Sequence, residues 1–102
     1  MAIKIEAQTV VTITSGGTAR PLSSFPLPCT SVIVQAEYTN IGRISIAGAE
    51  VTTSNGIEIG PGDTFSLNIE SISRVGEFDL ADIYVVSATT GDKVRVLAFR
   101  RK

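Results

Sequence analysis

From Ile3 to Ile13 the chain alternates with a period of two, with Ile3, Ile5, Ala7, Thr9, Val11 and Ile13 on one parity. Lys4, Glu6, Gln8 and Thr12 hold the other parity, and only Val10 breaks the rule. Successive side chains of a strand point to opposite faces, so this pattern predicts one long strand, or two joined by a slight bend, with one wet side. The "SGGT" at Ser15 to Thr18 then supplies the glycines that a reversal needs. In "RPLSSFPLPCT", Pro21, Pro26 and Pro28 each remove a ladder donor, which excludes a central strand. An extended loop pinned by Leu22, Phe25 and Leu27 is the expectation there.

Alternation resumes in "SVIVQAEYT", where Val32, Val34, Ala36 and Tyr38 are in phase, and "TNIG" turns the chain before Arg43 to Ile46. A short strand near Glu50 to Thr52 and an Asn-Gly turn at Ser54 to Gly56 follow. In "IEIGPGDTFSLNIE", Ile57 and Ile59 share one parity and Phe65, Leu67 and Ile69 another run of it, with Glu58, Ser66, Asn68 and Glu70 opposite. This reads as strand, tight turn and strand. Pro61 presets φ for the first central turn position and Gly62 supplies positive φ for the second, which suits a type II turn. Residues Ser71 to Asp82 have no clean period and suit an irregular crossing between sheets or a single helical turn. "IYVVSA", the turn "TTGD" and "KVRVLAF" complete the pattern. No segment has the period of a helix of three or four turns. Short strands punctuated by Gly, Pro, Asn and Asp predict an all-β fold, a single-domain jelly-roll-like β-sandwich over residues 1–102.

Composition narrows the chemistry more than the fold. A chain of 102 residues suffices for one core. No apolar run approaches the roughly 18 residues of a spanning helix, so no membrane association is expected. The start "MAIKIEAQTVV" lacks the pattern of a secretory signal, and no export is expected from it. Histidine is absent, which removes the usual general base, the usual zinc or iron ligand and the common nucleophilic triads. The turn around Pro61 resembles turns beside jelly-roll metal sites, yet its neighbours include no imidazole, so it is read as shape without metal. No cofactor and no enzymatic activity are expected. The single cysteine, Cys29, excludes an intrachain disulfide and reads as a partly buried hydrophobe, not a nucleophile. A formal net charge of −1 argues against direct nucleic-acid binding.

Three groups of residues remain as candidates. Glu77, Asp79 and Asp82 could offer oxygens to a calcium ion, but their spacing is not that of a dedicated calcium loop, and solvated loop carboxylates are the ordinary reading. Arg95 with Arg100, Arg101 and Lys102 makes a basic end, either a solvated guard of the last edge strand or a docking element for an acidic partner surface. The last two strands carry apolar groups on both parities, and Tyr84, Val86, Leu97 and Phe99 are the candidates for a contact between subunits. A roof formed by the loop carrying Phe25 and Leu27 would cover that second face equally well.

Taken in order, "VTITSGGTARPLSS", "VIVQAEYTNIGRISIAG", "GIEIGPGDTFSL" and "DLADIYVVSATTGDKVRVLAF" resemble small β-sandwich structural proteins of tailed bacteriophages, of the capsid decoration, cement or head-fibre type. The resemblance implies a virion protein made in the host cytoplasm and placed on the capsid surface, where it binds the major capsid protein or other virion proteins and stabilises the shell. It implies a homo-oligomer, with a trimer the common arrangement, and carries no catalytic residues. The alternative is a neck, tail or fibre-tip module that binds a receptor or glycan.

Overall fold

The computed structural model describes residues 3–68 and 76–101, the side chain of Arg101 excepted, and among the described residues the regular structure consists of ten strands and one 3-10 turn. The strands are β1 (Ile3–Thr12), β2 (Arg20–Pro21), β3 (Pro28–Cys29), β4 (Ser31–Ala36) and β5 (Ile44–Ala47), followed by β6 (Ile57–Ile59), β7 (Thr64–Asn68), β8 (Phe78–Asp79), β9 (Tyr84–Val86) and β10 (Lys93–Arg101). One four-stranded sheet has the order β1-β10-β4-β7 and a second has the order β2-β9-β5-β6, while β3 and β8 pair separately. All pairs are antiparallel. The chain is all-β, as its alternation predicts.

The two large sheets meet through the residues that the period of two places on one face. In β4, Val32, Val34 and Ala36 are buried and Ile33 and Gln35 are exposed. In β10, Val94, Val96 and Ala98 are buried while Lys93 and Arg95 point to solvent. Ile44, Ile46, Ile59 and Val85 come from the second sheet, and Ile13, Leu22 and Leu80 complete the same apolar cluster. Each fully buried branched side chain contributes about 1.5–3 kcal/mol relative to exposure, which sets the register of every strand that supplies one.

The long first strand departs from its simple alternation. Ile5 pairs with Phe99 but Ala7 pairs with Ala98, so a β-bulge inserts Glu6 as an extra residue. The bulge reverses parity. Ala7, Val11 and Ile13 contribute to the core, whereas Ile3, Ile5 and Val10 are exposed at 71%, 53% and 50%. Val10, the one exception in the sequence pattern, belongs to the outer set together with the two isoleucines.

The proline-rich segment holds only the two-residue strands β2 and β3, at sheet edges where a missing donor is tolerated. Leu22 is buried and Leu27 packs on the core, but Phe25 is 59% exposed and does not pin the loop. The strand expected near Glu50 to Thr52 is a loop instead. There the Asn55 Oδ1 accepts from the Thr52 amide at 2.8 Å, and the Val51 amide donates to the Gly48 carbonyl at 3.0 Å. Local partners of this kind compete with a ladder. A single turn of 3-10 helix spans Leu80–Asp82, one of the two forms expected for the crossing. Residues 71–75 of that crossing, and Ile69 and Glu70 expected at the end of the strand before it, lie outside the described residues.

The turn at Gly60 to Asp63 has the predicted form. Gly62 has φ +88°, and the Asp63 amide donates to the Gly60 carbonyl at 2.9 Å. The Asp63 carboxylate also accepts from the Gly60 amide at 3.0 Å. Around the turn, Gly62 and Ala36 are joined by a bond of 2.9 Å, and Ala36 donates to Asp63 at 3.0 Å, which ties the turn to the end of β4.

Candidate docking surfaces

The loop between β4 and β5 carries the two most exposed large apolar side chains among the described residues, Tyr38 at 82% and Ile41 at 84%. Its backbone is nevertheless firmly held. Asp92, only 3% exposed, accepts from the Ile41 amide at 3.0 Å through Oδ1 and from the Gly42 amide at 2.9 Å through Oδ2. The same Oδ2 accepts from the buried Ser87 hydroxyl at 2.8 Å, and the Ser87 Oγ in turn accepts from the Thr89 amide at 3.1 Å. One carboxylate thus joins the β4–β5 and β9–β10 connections. The Ile13 amide donates to the Asp92 carbonyl at 2.8 Å, which adds the end of the β1 segment to the junction.

Asn40 supplies a second brace. Its amide nitrogen donates to the Lys93 carbonyl and its oxygen accepts from the Lys93 amide, both at 2.8 Å, so the side chain imitates one rung of a ladder. Asp, Asn and Gly in these short turns satisfy backbone groups that would otherwise be orphaned. The result is a loop whose backbone is fixed while Tyr38 and Ile41 face water. A fixed backbone lowers the ordering cost of binding, and a large apolar side chain without a pocket of its own is suited to fill a partner's.

A second surface lies on the outer face of the β1-β10-β4-β7 sheet. The pairings set Gln8, Leu97, Ile33 and Ser66 in one row across the four strands, with Ile5, Phe99, Ser31 and Asn68 in the next row on one side. Val10, Arg95, Gln35 and Thr64 form the row on the other side. An open groove of about 730 Å³ runs over this face and is lined by Ile5, Val10, Ile33 and Leu97 among others. Arg95 stands within it and is paired with Glu37 at 3.4 Å.

These two surfaces only partly coincide with the residues singled out from the sequence. Leu97 and Phe99 share the outer face and are half-buried, and Tyr84 is half-buried on β9 of the other sheet. Val86 has no exposed surface and is removed from any subunit contact, because the fold of its own chain already encloses it. The roof considered for the last strands is not supplied by Phe25 or Leu27: Leu27 packs on the core and Phe25 points to solvent.

The basic end is not one cluster. Arg95 and Arg100 lie on opposite parities of β10 and bond to different carboxylates, Arg95 to Glu37 at 3.4 Å and Arg100 to Glu77 at 2.8 Å. Arg101 pairs through its backbone with Ile3, while its side chain and Lys102 lie outside the described residues.

The acidic trio is likewise divided. Glu77 is held by Arg100, and the Asp79 Oδ1 accepts from the Leu27 and Ala81 amides, both at 2.9 Å, as a cap for the 3-10 turn. Among the described residues no three acidic, cysteine or histidine side chains gather as a metal site. Cys29 is buried, more completely than the sequence suggests, and its thiol donates to the Leu27 carbonyl at 3.4 Å. Burial, reinforced by the nearby negative charge of Glu6, pushes that thiol up from 9.0 to about 11. It stays protonated and is a poor nucleophile at neutral pH.

Comparison with protein-family models, with curated proteins and with solved structures finds no match. The geometry and the sequence pattern therefore carry the functional reading. The alternation sets Tyr38 in phase with the buried Val32, Val34 and Ala36, but β4 ends at Ala36 and Tyr38 faces water; Ile41 and Asp92 are not singled out by the sequence, although one signal is present: an isoleucine in the middle of the turn "TNIG" has no reason to be apolar for the turn's own sake.

Proposed function

We propose that this chain is a structural protein of a tailed-phage virion, a decoration or cement protein that binds the major capsid protein and stabilises the shell. The observation that carries the reading is the braced β4–β5 loop, which offers Tyr38 and Ile41 to a partner from a backbone held by Asp92 and Asn40. Stabilisation follows by mass action, since a ligand that binds only the assembled shell shifts its equilibrium toward assembly. An oligomer adds effective concentration, so that modest contacts at several sites hold together.

The chain path supports a jelly roll as the fold. Leaving aside the two-residue β3 and β8, β1, β4, β7 and β10 form one sheet and β2, β5, β6 and β9 the other. The chain crosses between sheets at every step except β5 to β6, and the sheet orders β1-β10-β4-β7 and β2-β9-β5-β6 are those of two interlocked Greek keys. Many capsid and lectin domains use this arrangement, which is in keeping with the virion reading.

The test is reconstitution on capsids stripped of small accessory proteins. The wild type should co-sediment with them and raise their melting temperature, and a Tyr38→Ser/Ile41→Ser variant should lose both effects while remaining folded. Absence of wild-type binding, or equal binding by the double variant, would refute the proposal.

A further inference from the structure

We infer that the free edge of β1 is a binding site for an extended segment of another polypeptide, which joins the sheet as a further strand and sets a carboxylate against Arg20. This goes beyond the capsid proposal and is independent of it, since neither Tyr38 nor Ile41 lines the site. β1 ends the sheet order β1-β10-β4-β7, so no strand lies along its other side among the described residues. The bonds of β10 decide which backbone groups that side carries. The Lys93 carbonyl accepts from the Glu37 amide at 3.1 Å and the Phe99 carbonyl from the Thr30 amide at 2.8 Å, so alternate residues from Lys93 to Phe99 face the β4 side. Val94, Val96 and Ala98 therefore bond to their partners Val11, Thr9 and Ala7, and the N–H and C=O groups of Gln8, Val10 and Thr12 point away from β10. The Thr12 carbonyl agrees with this, accepting from the Arg20 Nη1 at 3.2 Å instead of from β10.

Edges are ordinarily blunted by charge, proline or a bulge. Here the bulge lies at Glu6, before the site, and residues 7–12, "AQTVVT", contain neither a charge nor a proline. A groove of about 540 Å³ runs along them and is lined by every one of residues 7–12, both parities at once, as an edge allows and a face does not. Residues 20–25 form its opposite wall. Ser23 holds that wall in place, its hydroxyl donating to the Phe25 carbonyl at 2.6 Å and accepting from the Phe25 amide at 3.3 Å.

Two features specify the occupant. Unpaired amides and carbonyls on every second residue match the backbone of an extended polypeptide, which repeats at the same interval. The other feature is charge. Arg43, Arg95 and Arg100 each reach a carboxylate, whereas the half-buried Arg20 reaches none among the described residues. Its Nη1 is fixed by the Thr12 carbonyl at 3.2 Å and the Thr14 hydroxyl at 3.1 Å, which leaves the Nε and Nη2 donors for the planar fork that a carboxylate fits. A second copy of β1 does not supply that carboxylate. Its one acid, Glu6, has a side chain only 11% exposed and lies 3.7 Å from Lys4 of its own chain.

Selection from a random library of short peptides on the immobilised full chain tests the inference, and fluorescence polarisation of a synthetic selected peptide measures it. The selected sequences should share alternating β-branched residues and an Asp or Glu. Arg20→Gln, and replacement of the peptide's acid by its amide, should each weaken binding about tenfold or more, and both together no more than either alone. N-methylation of alternate peptide residues should abolish binding in one phase and spare it in the other, because an added strand pairs along one of its own sides only. Circular dichroism checks the fold of Arg20→Gln, and the changes in the peptide leave the protein untouched. Failure to select any peptide, selected peptides without an acid, or tolerance of N-methylation in both phases would overturn the inference. Additive losses from Arg20→Gln and the amide peptide would remove the carboxylate from it. Self-association of the wild type that the peptide competes away, seen by light scattering, would replace the peptide with a second copy.

Discussion

Replacing Asp92 by alanine removes the acceptor for two backbone amides and one hydroxyl at once. The three bonds measure 3.0 Å from Ile41, 2.9 Å from Gly42 and 2.8 Å from Ser87, and the residue is 3% exposed. A buried donor left without a partner costs about 1–3 kcal/mol, and bonds to a charged acceptor stand at the upper end of that range. The Ile41 and Gly42 amides lie in a surface loop and can recover water, so the lower end applies to them, while the Ser87 hydroxyl is fully buried but can rotate. The sum is about 3–5 kcal/mol. For a domain of this size each kcal/mol lowers Tm by roughly 4–8 °C, so Asp92→Ala should melt on the order of 15–30 °C below the wild type. Asp92→Asn retains one acceptor but sets an amide donor against the other partners, and should lose about half as much.

Urea denaturation followed by far-ultraviolet circular dichroism measures the change, and amide hydrogen exchange locates it. Ile41 and Gly42 should exchange slowly in the wild type and lose protection in both variants. If the proposed capsid docking holds, the same loosening should weaken it, because a mobile loop must be ordered before Tyr38 and Ile41 can dock. If Asp92→Ala stays within about 0.5 kcal/mol of the wild type, or if the two amides remain protected, the carboxylate is not the brace described.

Gly62→Val forces a branched residue to φ +88° and should cost about 1–3 kcal/mol; an unchanged melting temperature would exclude the turn geometry. Gly56→Ala places a Cβ 2.7 Å from the Ile46 carbonyl oxygen at φ +82°, and should destabilise at least as much in the same thermal assay. Cys29 should resist alkylation at pH 8 in the folded chain and react only as fast as the protein unfolds; rapid labelling of folded protein would show an accessible thiolate. Because the folded chain retains the thiol proton up to about 11 and an unfolded thiol releases it near 9.0, the unfolded state binds fewer protons between those values. The thiol's contribution to stability should therefore be complete below pH 9 and decline towards pH 11, a decline that Cys29→Ala should lack. Glu77→Gln breaks an exposed pair with Arg100 and should change stability by no more than about 1 kcal/mol in urea titration.

What the linear sequence determined is whatever depends on neighbours along the chain. Alternation in residues 31–36 placed Val32, Val34 and Ala36 inside because a strand offers only two faces. The prolines between Arg20 and Thr30 kept that segment at sheet edges because each lacks a donor, and the Pro-Gly pair at 61 and 62 specified its turn through φ alone. Tertiary structure decided everything that requires two distant segments to meet. The bulge at Glu6 exists only in the register of β1 against β10, and it moved Ile3 and Ile5 from the predicted core face to the outer one. Asp92 reads as a turn residue until the chain brings Ile41, Gly42 and Ser87 around its carboxylate. Likewise, Arg95 and Arg100 are close in sequence yet separated by the pleat, so a basic run became two ion pairs on opposite faces. Period and turn chemistry are local properties, whereas burial, pairing and the burden of an unsatisfied group are set by whatever the fold places opposite.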